Sequence, residues 1–287
     1  MEFTSAASLD EATAHLADFG DTSQVLAGGT DVMLQRARGE INPLRLLHIG
    51  RIGELGLISS NGAIRIGSLA THLAIGSNHE IRLASPGLAE AAATVGGWQT
   101  QAAGTIGGNV CNASPAADTA APLLVAGAAF ELTSSSETRT VAADDFFVDR
   151  RITARRPDEL LTAITLPIPP PLTGERYLKV GRRSAMEVAV VGLAVRVTLD
   201  SDGTVERARV AACSVAPRPF RAVEAEAILQ GSRLEDDAIA EAGAALAAAA
   251  APIDDNRATA GYRLRILPGL LARCVMAAAE RATGGVE

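Results

Sequence analysis

The chain has 287 residues, 48% of them hydrophobic, and a formal net charge of −7 at pH 7. This length predicts two or three domains, and no apolar run approaches the roughly 20 residues that a membrane-spanning helix needs. The negative charge and the scattered arginines argue against a nucleic-acid partner.

The cysteines and histidines form no recognisable metal-binding pattern. Cys111, Cys213 and Cys274 are far apart, and the four histidines contain no HExxH-type pair. The sequence therefore predicts no metal ion and no iron–sulfur cluster on this chain, so any redox chemistry would need an organic cofactor. The start, Met1 to Ser5, lacks the basic and apolar regions of a secretory signal, and the expected location is cytoplasmic.

Residues 1–58 are predicted to form a small α/β unit. A capping box at Ser8 to Glu11 starts a helix whose apolar residues keep helical spacing as far as Phe19. A short strand is expected near Val25, followed by a glycine-rich loop and another strand from Leu46 to Ile49.

Residues 59–171 are predicted to form a second unit that is richer in strands. Its first hairpin turns at Ser59 to Gly62, and an alanine-rich helix starts at Ser85-Pro86, where serine suits the N-cap and proline the first turn. A second glycine-rich loop follows this helix. Three further strands precede a proline-rich linker, and they are expected at Phe130 to Leu132, Thr138 to Val141 and Leu160 to Leu166.

Residues 172–287 change in character. Two long strands, Val188 to Leu199 and Val205 to Val215, flank a polar turn at 200–203. Helices are expected at 221–230, 235–250 and 263–283. Strands followed by helices predict an α+β domain in which the helices pack on one face of an antiparallel sheet.

Two short segments share an unusual composition: AGGTD at 27–31 and TIGGN at 105–109. Paired glycines let backbone N–H groups approach an anion closely, so the two segments together could hold a pyrophosphate. Either segment alone is also typical of an ordinary turn before a helix. No GxGxxG or GxxxxGK[ST] motif is present, so neither a Rossmann fold nor a P-loop explains them.

The order of these motifs resembles the FAD-binding, or medium, subunit of the molybdenum hydroxylases, the family of xanthine dehydrogenase and aerobic carbon monoxide dehydrogenase. The resemblance covers nearly the whole chain and also rests on NASPAAD at 112–118, YLK at 177–179, IDD at 253–255 and Tyr262-Arg263. It implies an α+β fold in which two subdomains of the PCMH or vanillyl-alcohol-oxidase type hold FAD. A C-terminal α+β domain with antiparallel strands and helices would pack beside them.

The resemblance also implies which residues contact FAD. Backbone N–H groups of the first segment, and of Thr105 to Asn109 opposite, would bind the diphosphate. Asp118 would bond the adenosine ribose, and Lys179 would lie near the flavin ring or its ribityl chain and help to set its potential. The implied cofactor residues are Val25, Leu26, Ala27, Gly28, Gly29, Thr30, Asp31, Val32, Thr105, Ile106, Gly107, Gly108, Asn109, Asn112, Asp118, Leu161 and Lys179. No catalytic residue is implied on this chain.

The implied function is electron transfer within a complex. A large molybdenum-cofactor subunit would carry out the substrate chemistry, and a small subunit with 2Fe-2S clusters would deliver electrons to FAD. The acceptor would be NAD, a quinone, oxygen or another molecule, and a dimer of heterotrimers is the family expectation. Two alternatives stay open: a stand-alone FAD-dependent oxidoreductase of the same superfamily, and a flavin-free interaction protein with this fold. The four arginines within 150–156 are interpreted as a solvated face or a docking patch for an acidic partner.

Overall fold

The computed structural model describes residues 1–284 as three units, each built around its own main sheet. The first sheet lies within residues 2–48, the second within 58–167 and the third within 173–221. We call these the first, second and C-terminal units. The predicted third segment ends at residue 287, and its last three residues lie outside the description. No helix within residues 1–284 is both long enough and apolar enough to cross a lipid bilayer.

The first unit is a three-stranded parallel sheet with two helices. Its elements are β1 Glu2–Ser5, α1 Leu9–Phe19, β2 Ser23–Leu26, α2 Val32–Ala37 and β3 Arg45–His48. Strand β3 lies between β1 and β2. The N-cap half of the predicted capping box is present, because Ser8 Oγ accepts a hydrogen bond from the Glu11 N–H at 3.2 Å, whereas Glu11 Oε2 accepts from the Ala7 N–H at 2.7 Å and not from that of Ser8. Strand β1 is not predicted from the sequence, because its four residues are too few to show a clear alternation of apolar and polar side chains.

The second unit contains a five-stranded antiparallel sheet in the order β4-β5-β10-β6-β7. These strands are β4 Ile58–Ser60, β5 Ala63–Gly67, β6 Ala129–Thr133, β7 Thr138–Ala142 and β10 Leu160–Pro167. A separate short hairpin consists of β8 Phe147–Asp149 and β9 Ile152–Thr153. The predicted first hairpin is confirmed, with Gly62 at φ +71° in its turn.

Short helices cover this sheet and bury its apolar face. They are α3 His72–Ser77, α4 His79–Ala84, α5 Pro86–Thr94, α6 Trp98–Ala103, α7 Ile106–Asn112, α8 Ala120–Ala126 and α9 Ala143–Phe146. The second glycine segment, expected to be a loop, instead begins helix α7. Thr105 is the N-cap of this helix, and its Oγ1 accepts a hydrogen bond from the Gly108 N–H at 3.1 Å.

The C-terminal unit packs three helices on a four-stranded antiparallel sheet, which confirms the predicted α+β arrangement. Its elements are β11 Thr173–Val180, β12 Val191–Leu199, β13 Val205–Cys213, β14 Phe220–Arg221, α10 Val223–Leu229, α11 Asp236–Ala249 and α12 Ala260–Ala282. Strand β11 adds to the two predicted long strands. Its alternation is hidden because Glu175, Tyr177 and Lys179, on one face, all make polar contacts with the second unit.

Buried polar contacts join the C-terminal unit to the second unit. Glu175, which is 1% exposed, accepts hydrogen bonds from Ser85 Oγ at 2.8 Å and from Arg196 Nε at 2.6 Å. Ser85 stands at the predicted N-cap of α5, but its hydroxyl serves this interface and does not cap the helix. A buried carboxylate needs such donors, so these contacts fix how the two units dock.

A polar cluster also anchors the loop before α12. Asp255 accepts hydrogen bonds from Arg257 Nε at 3.0 Å and from Arg263 Nη2 at 2.6 Å. Arg263 is 2% exposed and donates to the Ser214 carbonyl at 2.8 Å. Burial raises the pKa of Asp255, but the hydrogen bonds from both arginines outweigh it and hold the pKa below the usual 3.8.

The substitution Asp255→Asn should therefore lower stability at neutral pH, with a difference that depends on pH. A carboxyl whose folded pKa is depressed contributes stability that is present above its unfolded pKa, about 3.9, and is lost as pH falls through the folded pKa. In urea unfolding, the difference between wild type and variant should keep its full size from pH 7 down to about pH 4. It should then shrink as the pH falls further toward the depressed folded pKa, in the acid range below about pH 4. A constant difference across this range would contradict the assignment.

Candidate functional site

The two glycine segments meet in the fold, although 78 positions separate their starts at 27 and 105. Gly28 lies directly against the backbone that leads into the second segment. A Cβ placed on Gly28 would sit 1.7 Å from the Ala103 carbonyl oxygen, and one placed on Gly104 would sit 3.3 Å from Thr30 Oγ1. Such an approach tolerates no side chain at Gly28, so the first and second units are in backbone contact there.

The first segment presents a run of unpaired backbone donors. Within residues 1–284, none of the five N–H groups from Gly28 to Val32 donates to a protein acceptor. Gly29 adopts the left-handed region with φ +72°, which turns the chain between β2 and α2. Consecutive N–H groups around such a turn form a concave anion-binding surface, so this loop, residues 27–32, suits a phosphate group.

The second segment uses its backbone donors differently from the sequence expectation. The N–H groups of Ile106 and Gly107 donate to the carbonyls of Ala70 and Ser68 at 3.0 and 2.9 Å. Those of Gly108 and Asn109 donate to Thr105 Oγ1 and Thr105 O at 3.1 and 3.0 Å. The first two N–H groups hold α7 on the strand end at 68–70, the other two close its first turn, and all four already have protein acceptors.

Helix α7 instead offers side chains on the face toward the first segment. Asn109 and Asn112 are three residues apart and so lie on one face of the helix. Asn112 Oδ1 accepts a hydrogen bond from Gln35 Nε2 at 2.9 Å, and Gln35 belongs to α2, directly after the first segment. The 27–32 loop and this face of α7 therefore lie close to each other at the border of the first and second units, and we call the space between them the cleft.

One of the four arginines within 150–156, predicted to be a solvated face or a docking patch, stands at this cleft. Arg151 Nη1 donates to Asn112 Oδ1 at 3.1 Å, and its N–H donates to the Ala113 carbonyl at 3.0 Å. Burial raises the pKa of Asp31, and the positive charge of Arg151 opposes that rise. Its position in a string of arginines carries no signal, because only the fold brings it beside Asn112.

Asp118 belongs to a buried polar cluster at the border with the C-terminal unit. Its two carboxylate oxygens accept hydrogen bonds from Tyr177 Oη at 2.6 Å and Lys179 Nζ at 2.9 Å. Lys179 Nζ also donates to the Thr94 carbonyl at 2.8 Å. Burial raises the pKa of Asp118, while the Lys179 charge and both hydrogen bonds counter it.

These contacts bear on the predicted roles of Asp118 and Lys179. Asp118 is 5% exposed and both of its oxygens already have donors, which leaves little surface for a ribose hydroxyl. The Lys179 side chain is 10% exposed and is paired, so it is not a free cation. The contact of each with a cofactor stays a prediction. Tyr177 completes this cluster, and no local pattern in the sequence points to a role for it.

The remaining predicted residues fall into two groups. Val25 and Leu26 end strand β2 and lead into the 27–32 loop. Leu161 is 2% exposed in the central strand β10, with its side chain in the core, so only its backbone could meet a ligand.

Within the described chain, no cluster of three or more histidine, cysteine or acidic residues has the arrangement of a metal site.

Comparison with known proteins gives matches along nearly the whole chain. The FAD-binding domain family of molybdopterin dehydrogenases matches residues 1–169, and the C-terminal domain family of CO dehydrogenase flavoproteins matches residues 176–278. The carbon monoxide dehydrogenase medium chain of Afipia carboxidovorans is 35% identical, over 96% of this chain and 95% of its own. The glyceraldehyde dehydrogenase medium chain of Sulfolobus acidocaldarius is 31% identical, over 93% and 94%.

A solved structure agrees with these sequence matches. The carbon monoxide dehydrogenase of Hydrogenophaga pseudoflava that lacks the Mo-pyranopterin moiety contains a chain with a TM-score of 0.94 and 32% identity to this one. The likeness covers 98% of both chains. Both the first two units and the C-terminal unit are therefore included in the similarity.

Replacing Gly28 with alanine should disrupt the contact between the first and second units. Its Cβ would overlap the Ala103 carbonyl, and overpacking of this kind costs about 1–3 kcal/mol. Thermal unfolding should show a lower Tm for Gly28→Ala. The matched control is Gly53→Ala, because a Cβ there meets nothing within 4 Å. Equal Tm values for the two variants would contradict the close approach.

Replacing Lys179 with methionine should leave Asp118 buried without its cation. Breaking a buried ion pair from one side costs about 3–5 kcal/mol. The control is Arg233→Met, which removes an exposed ion pair: the side chains of Arg233 and Asp202 are 61% and 59% exposed. Its loss should lower the free energy of unfolding by less than about 1 kcal/mol. Urea unfolding measures both, and similar losses would rule out a structural role for the Asp118–Lys179 pair.

Proposed function

The chain belongs to the family of FAD-binding subunits of the molybdopterin dehydrogenases, and we propose that it holds FAD between the 27–32 loop and helix α7 as an electron-transfer cofactor. The family resemblance and the FAD-binding fold with a C-terminal domain, both predicted from the sequence, are confirmed. As a member of this family the chain is an oxidoreductase subunit.

The unpaired N–H groups from Gly28 to Val32 are the main support for placing FAD at this site. They match the diphosphate of FAD, because two neighbouring phosphates need many donors and backbone N–H groups supply them without long cationic side chains. In this proposal the first segment binds the diphosphate and Val25 and Leu26 position it. The opposite wall contributes through side chains on α7, since Ile106 to Asn109 have no free backbone donors.

Arg151 provides the positive charge that such an anion favours. It is exposed at the rim of the cleft and already holds Asn112, which in turn accepts from Gln35 of the first unit. A bound diphosphate beside it would be stabilised by charge, and this attraction would weaken as salt concentration rises. We therefore add Arg151 to the predicted cofactor residues.

Electron transfer is favoured over substrate chemistry on this chain. Its relatives are named for carbon monoxide and glyceraldehyde, yet they resemble it along more than 90% of its length. A chain that is so similar in enzymes for such different molecules is not the part that selects the substrate. FAD supplies the ability to accept electrons singly and release them in pairs.

The proposed partners follow from this role. A large subunit with the molybdenum cofactor would oxidise the substrate, and a small subunit with 2Fe-2S clusters would pass the electrons on. The final acceptor would be NAD, a quinone, oxygen or another molecule. A dimer of heterotrimers and a cytoplasmic location stay predictions from the sequence.

Flavin retention by the purified full-length chain, alone or co-expressed with the two partner subunits, tests this function. A yellow protein that releases FAD on denaturation is expected. A colourless protein in both preparations would favour the flavin-free alternative. Oxidation of a small substrate by the chain without its partners would favour a stand-alone flavoenzyme.

Gly108→Val should block the proposed site with little effect on the fold. Gly108 is exposed on the cleft face of α7, and a Cβ there meets only Thr105 Oγ1, at 3.1 Å. Gly107 is unsuitable because a Cβ would lie 2.7 Å from Ser68. We expect FAD affinity to fall by roughly 10-fold or more while Tm stays close to wild type. Gly269→Ala on the exposed side of α12 is the control, and unchanged affinity in Gly108→Val would remove α7 from the site.

A further inference from the structure

We infer that Thr119 is a positioning residue for the cofactor, because its hydroxyl fixes which end of the Asn109 side-chain amide faces the cleft. This inference rests on the proposed function and extends it to a residue outside both glycine segments. Thr119 is fully buried and cannot itself reach a ligand. Its Oγ1 donates a hydrogen bond of 2.6 Å to Asn109 Oδ1.

This hydrogen bond sets the orientation of the amide. With Oδ1 held by Thr119, the Nδ2 group of Asn109 turns away from the protein interior. Within the described residues Nδ2 makes no hydrogen bond, and Asn109 as a whole is only partly buried. Asn109 therefore presents an N–H donor to the cleft and not a carbonyl oxygen.

A side-chain donor at Asn109 supplies the free N–H group that the backbone of the second segment lacks. The N–H groups of Ile106 to Asn109 all donate to protein acceptors, while the 27–32 loop offers five unpaired donors on the opposite wall. The Asn109 amide is thus a side-chain donor with which this segment can meet an acceptor oxygen of FAD. A flipped amide would direct Oδ1 at that oxygen, and two acceptors facing each other repel.

The C-terminal unit holds Thr119 in place. Asp118, the residue before Thr119, is fixed by hydrogen bonds from Tyr177 and Lys179 of strand β11. The Thr119 carbonyl accepts the first hydrogen bond of α8, from the Leu123 N–H at 3.2 Å. Contacts from the C-terminal unit thereby reach the cleft through Asp118, Thr119 and Asn109. This connection gives strand β11 a part in cofactor binding without direct contact.

Two substitutions of Thr119 separate the hydroxyl from the shape of the side chain. Thr119→Val keeps the volume and removes the donor, whereas Thr119→Ser keeps the donor. FAD is titrated into the flavin-free full-length chain and the Kd is measured by flavin fluorescence, with Tm of the flavin-free form recorded in parallel. We expect the Kd to rise roughly 10-fold in Thr119→Val and to change less than about 3-fold in Thr119→Ser.

The double variant distinguishes positioning from a general loss of structure. Asn109→Ala should raise the Kd by a similar factor, and adding Thr119→Val to it should raise the Kd no further, because no amide remains to orient. The inference would be overturned if the double variant raised the Kd by the product of the two single-variant factors. A wild-type Kd in Thr119→Val would overturn it as well. If Thr119→Val does not fold, Thr119→Ala against Thr119→Ser gives the same comparison. A wild-type chain that binds no FAD would instead refute the proposed function.

Discussion

The backbone contact between Gly28 and Ala103 is the constraint on which the site depends. It joins a parallel α/β unit to an antiparallel one without an intervening side chain, and it directs the 27–32 loop toward helix α7. Within the described residues the N–H groups of this loop have no protein acceptor, so they remain available to a ligand. The same contact would be impossible with any larger residue at position 28.

Buried charge organises the second boundary, between the second and C-terminal units. Asp118 of the second unit accepts hydrogen bonds from Tyr177 and Lys179 of strand β11, and Glu175 of β11 accepts one from Ser85 of the second unit. Buried ion pairs add little net stability compared with apolar packing, but they penalise any docking that leaves a charge unpaired. The polar face of β11 therefore specifies one arrangement of the units. Through Thr119 that arrangement extends to the cleft.

Much of this architecture is readable from the sequence, and the failures have physical causes. The long strands β12 and β13 follow from apolar runs on either side of a polar turn, and the hairpin at Gly62 follows from its turn residues. Strand β11 is hidden because its side chains serve a polar interface. Helix α7 is hidden because paired glycines indicate a loop, whereas the Thr105 cap and carbonyls of 68–70 stabilise a helix. Arg151 and Thr119 depend on contacts across the fold that no local pattern encodes.

Hydrogen exchange of the backbone, measured with and without FAD, tests the central claim most directly. Free N–H groups that bind a diphosphate should gain protection, whereas N–H groups already bonded within the protein should change little. The account predicts slower exchange on FAD binding at Gly28 to Val32 and little change at Ile106 to Asn109. FAD binding that leaves exchange at Gly28 to Val32 unchanged would contradict it.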